Sequence, residues 1–191
     1  MNPRNEALAP RKRRSAIREV RKRWPNAEVP YILDSGFPDE FKVLIDDAIQ
    51  SIQTSSCVKF KEKLQEDEAW VEISRKGEDG CSGQATLGFT GAGRHNLSLE
   101  TGCDHKVGPA TSAPGHLSLL LVLQGVILHE LLHLLGLSHE HQRPDRDTFI
   151  TIHWQNINKD DVEDFWRDSY QDHASEPEYG GGQYLKHISQ V

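Results

Sequence analysis

HELLHLLGLSHEHQRPDRD, residues 129–147, is the stretch on which the reading of this chain turns. It sets four histidines, His129, His133, His139 and His141, within thirteen positions, beside leucines that would ordinarily mark a buried helix. On a helix, His129 and His133 lie four residues apart and leave one face a single turn from each other, where two imidazoles can bind one ion. Glu130, next to the first histidine, is badly placed to join them. It is well placed to reach a water at the ion, which is the position of a general base. Gly136 predicts the helix end, because glycine takes the left-handed C′ conformation without steric cost. The turn that follows brings His139 back as a third ligand. Three neutral imidazoles leave zinc an open position, the pattern of a catalytic rather than a closed structural site. The competing reading is an amphipathic core helix with its histidines turned to solvent. That reading suits a bare HExxH better than HExxHxxGxxH, whose glycine has a geometric task of its own. Cysteine zinc ligands are disfavoured, since Cys57, Cys81 and Cys103 include no CxxC pair.

Outward from this stretch, 191 residues suit one domain with its own hydrophobic core. A net charge of -7, with no basic stripe beyond the N-terminal end, argues against a nucleic-acid partner. The basic residues gather in the run Arg11-Lys12-Arg13-Arg14 and in Arg18, Arg21, Lys22 and Arg23, so residues 1–23 read as a polar leader, with order beginning near Trp24-Pro25. Three cysteines leave at least one unpaired within the chain. One bridge plus a lone thiol fits, and so do three reduced cysteines in a cytosolic protein. The start MNPRNEALAP has no apolar h-region and is not a signal peptide. The apolar stretch 117–128 is too short to span a bilayer, and no membrane association is expected.

The element pattern is α+β. Residues 28–33 (EVPYIL) read as a strand, and residues 39–54 place Phe41, Leu44, Ile45, Ala48, Ile49 and Ile52 on one helical face. Residues 57–60, 69–74 and 96–99 have strand composition, as does 148–154, whereas 77–93 reads as a glycine-rich loop. Together these predict a mixed or antiparallel sheet with a helix packed on one face.

Residues 129–147 resemble, position by position, HExxHxxGxxHExxRxDRD, the signature of the astacin branch of the metzincin zinc endopeptidases, with Glu140, Arg143, Asp145, Arg146 and Asp147 in place. WPNAEVPYIL is similar to that family's first strand and SSCVKF to the strand with its first core cysteine. DGC at 79–81 and TGC at 101–103 resemble its second cysteine pair, so the resemblance covers residues 15–180. It implies a zincin-like N-terminal subdomain with a twisted mixed sheet, a backing helix and a zinc-binding active-site helix, the C-terminal subdomain being largely missing. It further implies one Zn2+ per chain on His129, His133 and His139, with Glu130 as the acid/base residue. By the same resemblance Cys81 pairs with Cys103, Cys57 pairs with a cysteine that this chain does not reach, and Glu140 is a buried carboxylate that receives the new N-terminus after activation. Arg11 to Arg14 resemble a furin-type site, which implies a propeptide ending at Arg14, a processing protease as partner and a mature start at Ser15. A nuclear-localisation signal is the other reading of that run.

Two stretches depart from the family pattern. Residues 107–124, VGPATSAPGHLSLLLVLQ, stand between the second cysteine pair and Gly125, the glycine that opens the family's zinc helix. Val107 is encoded by GT-initial codons and Gln124 can be CAG, so this insert reads as translated intron or as the product of an alternative splice site. The second departure is the methionine turn, YGSxMHY in the family, which starts here at Tyr179-Gly180 and gives way to GGQYLKHISQV, a divergent tail over residues 181–191. The only methionine is Met1. Tyr184 lies near the position of the family's tyrosine ligand and is not assigned that role. The function implied is a secreted zinc metalloendopeptidase that hydrolyses protein or peptide substrates through a water at the metal. A zinc-binding chain without turnover is the alternative. A third reading, an intracellular interaction protein, requires reduced cysteines and no metal.

Overall fold

The structure is a computed structural model that describes residues 20–77, 82–101 and 114–168. Its sheet is built from β1 (Glu28–Leu33), β2 (Lys59–Glu62), β3 (Ala69–Gly77), β4 (Gly83–Ala85) and β5 (Gly93–Glu100), in the order β2-β1-β3-β5-β4. β1 pairs in parallel with β2 and β3, β3 pairs in parallel with β5, and only β4 runs antiparallel, so the sheet is mixed. Register sets Val29 beside Phe60, Tyr31 beside Val71, Val71 beside His95 and Ile73 beside Leu97. Because side chains alternate across a strand, these residues share one face with Leu99 and with Gly83 and Ala85 of β4. The opposite face is polar where Glu72 and Arg94 pair across β3 and β5.

Two helices cover the apolar face. α1 (Asp39–Ser55) buries Phe41, Ile45, Ala48, Ile49 and Ile52, as its 3.6-residue periodicity requires. α2 (Pro114–Leu134) packs on α1 and lies over β4 and β5, burying Leu123, Ile127, Leu131 and Leu134 at helical spacing. Each such side chain contributes about 1.5–3 kcal/mol relative to exposure. Trp24 is buried beside the end of α2 and donates its indole N–H to Leu134 O at 2.9 Å, which ties the start of the described chain to the helix that carries the histidines.

Three sequence expectations need correcting. α2 begins at Pro114 rather than at Gly125, so residues 114–124 of the expected insert continue the helix, and residues 107–113 lie outside the described residues. Residues 148–154 form no strand. Phe149 and Ile150 donate their N–H groups back to Arg146 O, and 3-10 turns occupy Arg146–Thr148 and Trp154–Asn156. The glycine-rich stretch, in turn, contains β4, a strand formed because the open edge of β5 supplies its partners. The leader, the 181–191 tail, Tyr179, Tyr184, Cys81 and Cys103 all lie outside the described residues. Cys57 is exposed, with a free thiol. No helix among the described residues is long and apolar enough to cross a membrane.

Candidate metal centre

The centre begins with the way α2 stops. Gly136 has φ +91°, its N–H donates to His133 O at 2.8 Å, and Leu137 N–H donates to Leu132 O at 3.0 Å. These two bonds are those of a Schellman cap with glycine at C′, closed by apolar packing of the residue beyond it. The chain then reverses over the last helical turn. His139 comes to face His129 and His133.

The three Nε2 atoms meet. His129 and His133 are 2.9 Å apart at these atoms, His133 and His139 3.0 Å, and His129 and His139 3.1 Å. Two of the rings are fixed from behind. His133 Nδ1–H donates to Leu137 O at 2.6 Å, and His139 Nδ1 faces Gln142 Oε1 at 3.1 Å. With the proton on Nδ1, each ring turns an Nε2 lone pair toward the others. Such lone pairs repel one another unless a cation lies among them. A triangle of nitrogens this size has room for an ion about 2.0–2.1 Å from each, the Zn–N bond length. The three residues are also the one His/Cys/Asp/Glu group among the described residues whose ligand atoms converge tightly enough to hold a metal. The donor set fits zinc.

Electrostatics favours the same state. Desolvation, and then the nearby histidines, lower the pKa of His129, and desolvation leads the lowering at His139. Both rings therefore give up a proton more readily than free imidazole. Glu130 is buried, and burial raises its carboxyl above the usual carboxylate range, opposed only by the charge of His139. It lies against β4, where a Cβ added to Gly83 would come 3.0 Å from Glu130 Oε1 and closer still to Cγ and Cδ. That glycine is what lets the strand and the carboxylate share the space. Triad and carboxylate open onto one cleft of about 700 Å³, whose walls include Gly83, Ala85 and Leu87 on one side and Val122 and Val126 of α2 on the other.

The loop after His139 is held by charge. Arg143 pairs with Asp145 at 2.9 Å and with Glu140 at 2.9 Å, while the buried Arg146 pairs with Asp147 at 2.8 Å and donates to the carbonyls of His141 and Phe165. The resemblance implied that Glu140 becomes a buried carboxylate after activation; in the uncleaved chain it is not buried. Its side chain is 55% exposed because it turns outward to Arg143 within one 3-10 turn. His141, unassigned by spacing, stacks on His139 with ring centroids 5.2 Å apart and reaches Asp164 O at 2.8 Å. Gln142 escaped sequence reasoning altogether, since its partners depend on how two separate segments meet.

With this geometry in place, comparison with known proteins is direct. The chain matches the model of the astacin peptidase family over residues 16–116 and 121–181. It belongs to the astacin family. Zinc metalloproteinase nas-8 of Steinernema carpocapsae is 33% identical over 155 residues, a stretch covering 81% of this chain and 32% of that protein. Zinc metalloproteinase nas-4 of Caenorhabditis elegans is 33% identical over 147 residues, 75% of this chain and 39% of the relative. Astacin-like metalloprotease toxin 2 of Loxosceles intermedia is 36% identical over 144 residues, 75% of this chain and 47% of the toxin. The chain thus spans between about a third and a half of these relatives' lengths. The astacin fold is shared with the structure of high choriolytic enzyme 1, a hatching enzyme zinc-protease from the medaka Oryzias latipes, at TM-score 0.57 and 24% identity over 77% of this chain and 63% of that one. Myroilysin aligns at TM-score 0.53 and 16% identity over 85% and 78%. The cofactor of an astacin triad is zinc, which agrees with the donor set found here. The residues between the two matched segments, 117–120, fall inside α2, in the part of the helix that precedes Gly125.

Proposed function

We propose that this chain is the zinc-holding part of a secreted metalloendopeptidase that hydrolyses peptide bonds in protein substrates. His129, His133 and His139 act as the metal ligands and Glu130 as the general base. The observation that carries the reading is the convergence of three Nε2 atoms at 2.9–3.1 Å beside a buried carboxylate, in one open cleft. When bound, zinc supplies a Lewis acid for a carbonyl oxygen and lowers the pKa of water at the site.

The chain's own residues supply the rest. Glu130, its pKa raised by burial, takes a proton from the water that attacks the peptide carbonyl and passes that proton to the amine as the C–N bond breaks. A carboxyl group tuned upward serves both transfers, being less reluctant to hold the proton between them. β4 lies at the sheet edge and lines the cleft, so its outer backbone groups can hold an extended peptide across the triad. The domain reading that accompanies this proposal is a leader over 1–14 released by a furin-type protease, a partial astacin-like domain over 15–180 with an atypical 107–124 segment, and a divergent 181–191 tail. The basic run at 11–14 and the family match support it.

Hydrolysis of a generic unfolded protein tests the function. The wild type should cleave it, a chelator should stop cleavage and added zinc should restore it, and Glu130→Gln should lower turnover by about 10²–10⁴, the usual contribution of general acid–base catalysis. Wild-type protein that binds zinc but never turns over favours the zinc-binding chain without catalysis. Undiminished hydrolysis by Glu130→Gln removes Glu130 from the mechanism.

A further inference from the structure

The amide of Gln142 touches two groups. Its Nε2 lies 3.0 Å from Asp164 O and its Oε1 lies 3.1 Å from His139 Nδ1. The first contact determines the second. A backbone carbonyl only accepts hydrogen bonds, so the amide must turn its NH2 toward Asp164. The reverse orientation would set two oxygens against each other at that distance. With NH2 facing Asp164, Oε1 faces His139. Oε1 only accepts, so His139 Nδ1 must be the donor and must carry the ring proton. The neutral ring then has its lone pair on Nε2, the atom that converges with those of His129 and His133.

We infer that Gln142 is a positioning residue for the third zinc ligand. Through it, the carbonyl of Asp164, twenty-two residues downstream, selects the Nδ1–H tautomer of His139 and aims its Nε2 at the metal. The anchor itself is well fixed. Asp164 O also accepts from His141 Nε2 at 2.8 Å, using its second lone pair. Asp168 N–H donates to Gln142 O at 2.7 Å, and Ser138 Oγ donates to Asp168 Oδ2 at 3.1 Å. Arg146 donates to Phe165 O from below. The segment Lys159–Phe165 and the residues that follow it are therefore the back wall against which the ligand loop is set. In water a neutral imidazole favours the other tautomer, with the proton on Nε2, so the selection has work to perform at this ring.

This inference rests on the reading of His129, His133 and His139 as zinc ligands, and the test separates the two. Zinc affinity of the whole chain is measured by competition with a chromophoric chelator for wild type, Gln142→Leu and Gln142→Glu. Gln142→Leu removes the acceptor behind His139 and should weaken zinc about 10–100-fold, the usual effect of losing an outer-sphere partner. Gln142→Glu keeps an acceptor there, now charged, while losing the donor to Asp164. Its second oxygen would face Asp164 O, the same clash that fixes the amide, so it should bind zinc less tightly than wild type but at least about threefold more tightly than Gln142→Leu. Equal losses in the two variants would show that the amide only clamps the loop, and a Gln142→Leu affinity within about twofold of wild type would show that it does neither. Both results overturn the inference. Long-range ¹H–¹⁵N correlation spectra of the metal-free chain give a second readout. His139 should carry its proton on Nδ1 in wild type and Gln142→Glu, and largely on Nε2 in Gln142→Leu. If wild type holds no zinc, the ligand reading fails by itself and the tautomer spectra still decide the role of Gln142.

Discussion

Replacing Gly136 by alanine tests how the helix end builds the centre. At φ +91° an L side chain crowds the adjoining backbone, at a cost of about 1–2 kcal/mol. Alanine also restricts the unfolded chain, which offsets this by about 0.4–1 kcal/mol. The net expectation is a destabilisation of about 1 kcal/mol, roughly a fivefold fall in the ratio of folded to unfolded protein. The effect on the metal should be larger than the effect on the fold. The cap that Gly136 makes possible places Leu137 O 2.6 Å from His133 Nδ1 and carries His139 back over the helix, so one substitution disturbs the support of two ligands. Zinc affinity should therefore fall at least about tenfold, as it does when an outer-sphere partner is lost. Urea unfolding of the chelated protein measures the first quantity and chelator competition the second. An alanine variant that matches wild type in both would refute the argument that a left-handed glycine positions the ligands.

Two further perturbations probe the frame around the centre. Trp24→Phe removes the indole donor from Leu134 O, leaving a buried carbonyl unpaired at the last turn of α2, and should cost about 1–3 kcal/mol in urea unfolding. A change below about 0.5 kcal/mol would show that the bond does not brace the helix. His95 is buried between Trp24 and Phe89, and its Nε2 accepts from Thr90 N–H at 2.9 Å. Burial pushes its pKa below the ordinary 6.5. The unfolded chain therefore takes up the proton first as pH falls, so the contribution of His95 to stability is complete above about 6.5 and is lost progressively below it. The stability gap between wild type and His95→Leu should narrow from pH 7.5 to pH 5.5, and a gap independent of pH would contradict this assignment.

Much of this architecture is visible in short-range pattern. EVPYIL supplies β-branched and aromatic residues in a strand-length run, and the apolar residues of 39–54 repeat with helical period, so β1 and α1 fall where the sequence places them. The triad is legible because HExxHxxGxxH encodes both a helical face and the turn that ends it. The misreadings share a physical cause. Gly-Gln-Ala has no intrinsic strand preference and becomes β4 because β5 offers it an open edge. Thr148 to Trp154 has strand composition and finds no strand beside it, so its backbone turns on itself. Leucine-rich residues ahead of Gly125 could equally belong to a strand or a helix, and continuity with the zinc helix decides the matter. Gln142 could not be singled out from its neighbours, because its role is created by a carbonyl that the fold brings back from Asp164. Glu140 shows the opposite case: the family pattern implies burial after activation, whereas in the uncleaved chain its side chain is 55% exposed beside Arg143.

The central claim is that His129, His133 and His139 hold zinc. Elemental analysis of the purified chain, paired with His139→Ala, tests it most directly. Three imidazoles with an open fourth position should retain about one zinc per chain through gel filtration, and a site reduced to two should lose most of it. Wild-type protein that carries no zinc after incubation with the metal, or a His139→Ala variant that carries as much as wild type, would contradict the account.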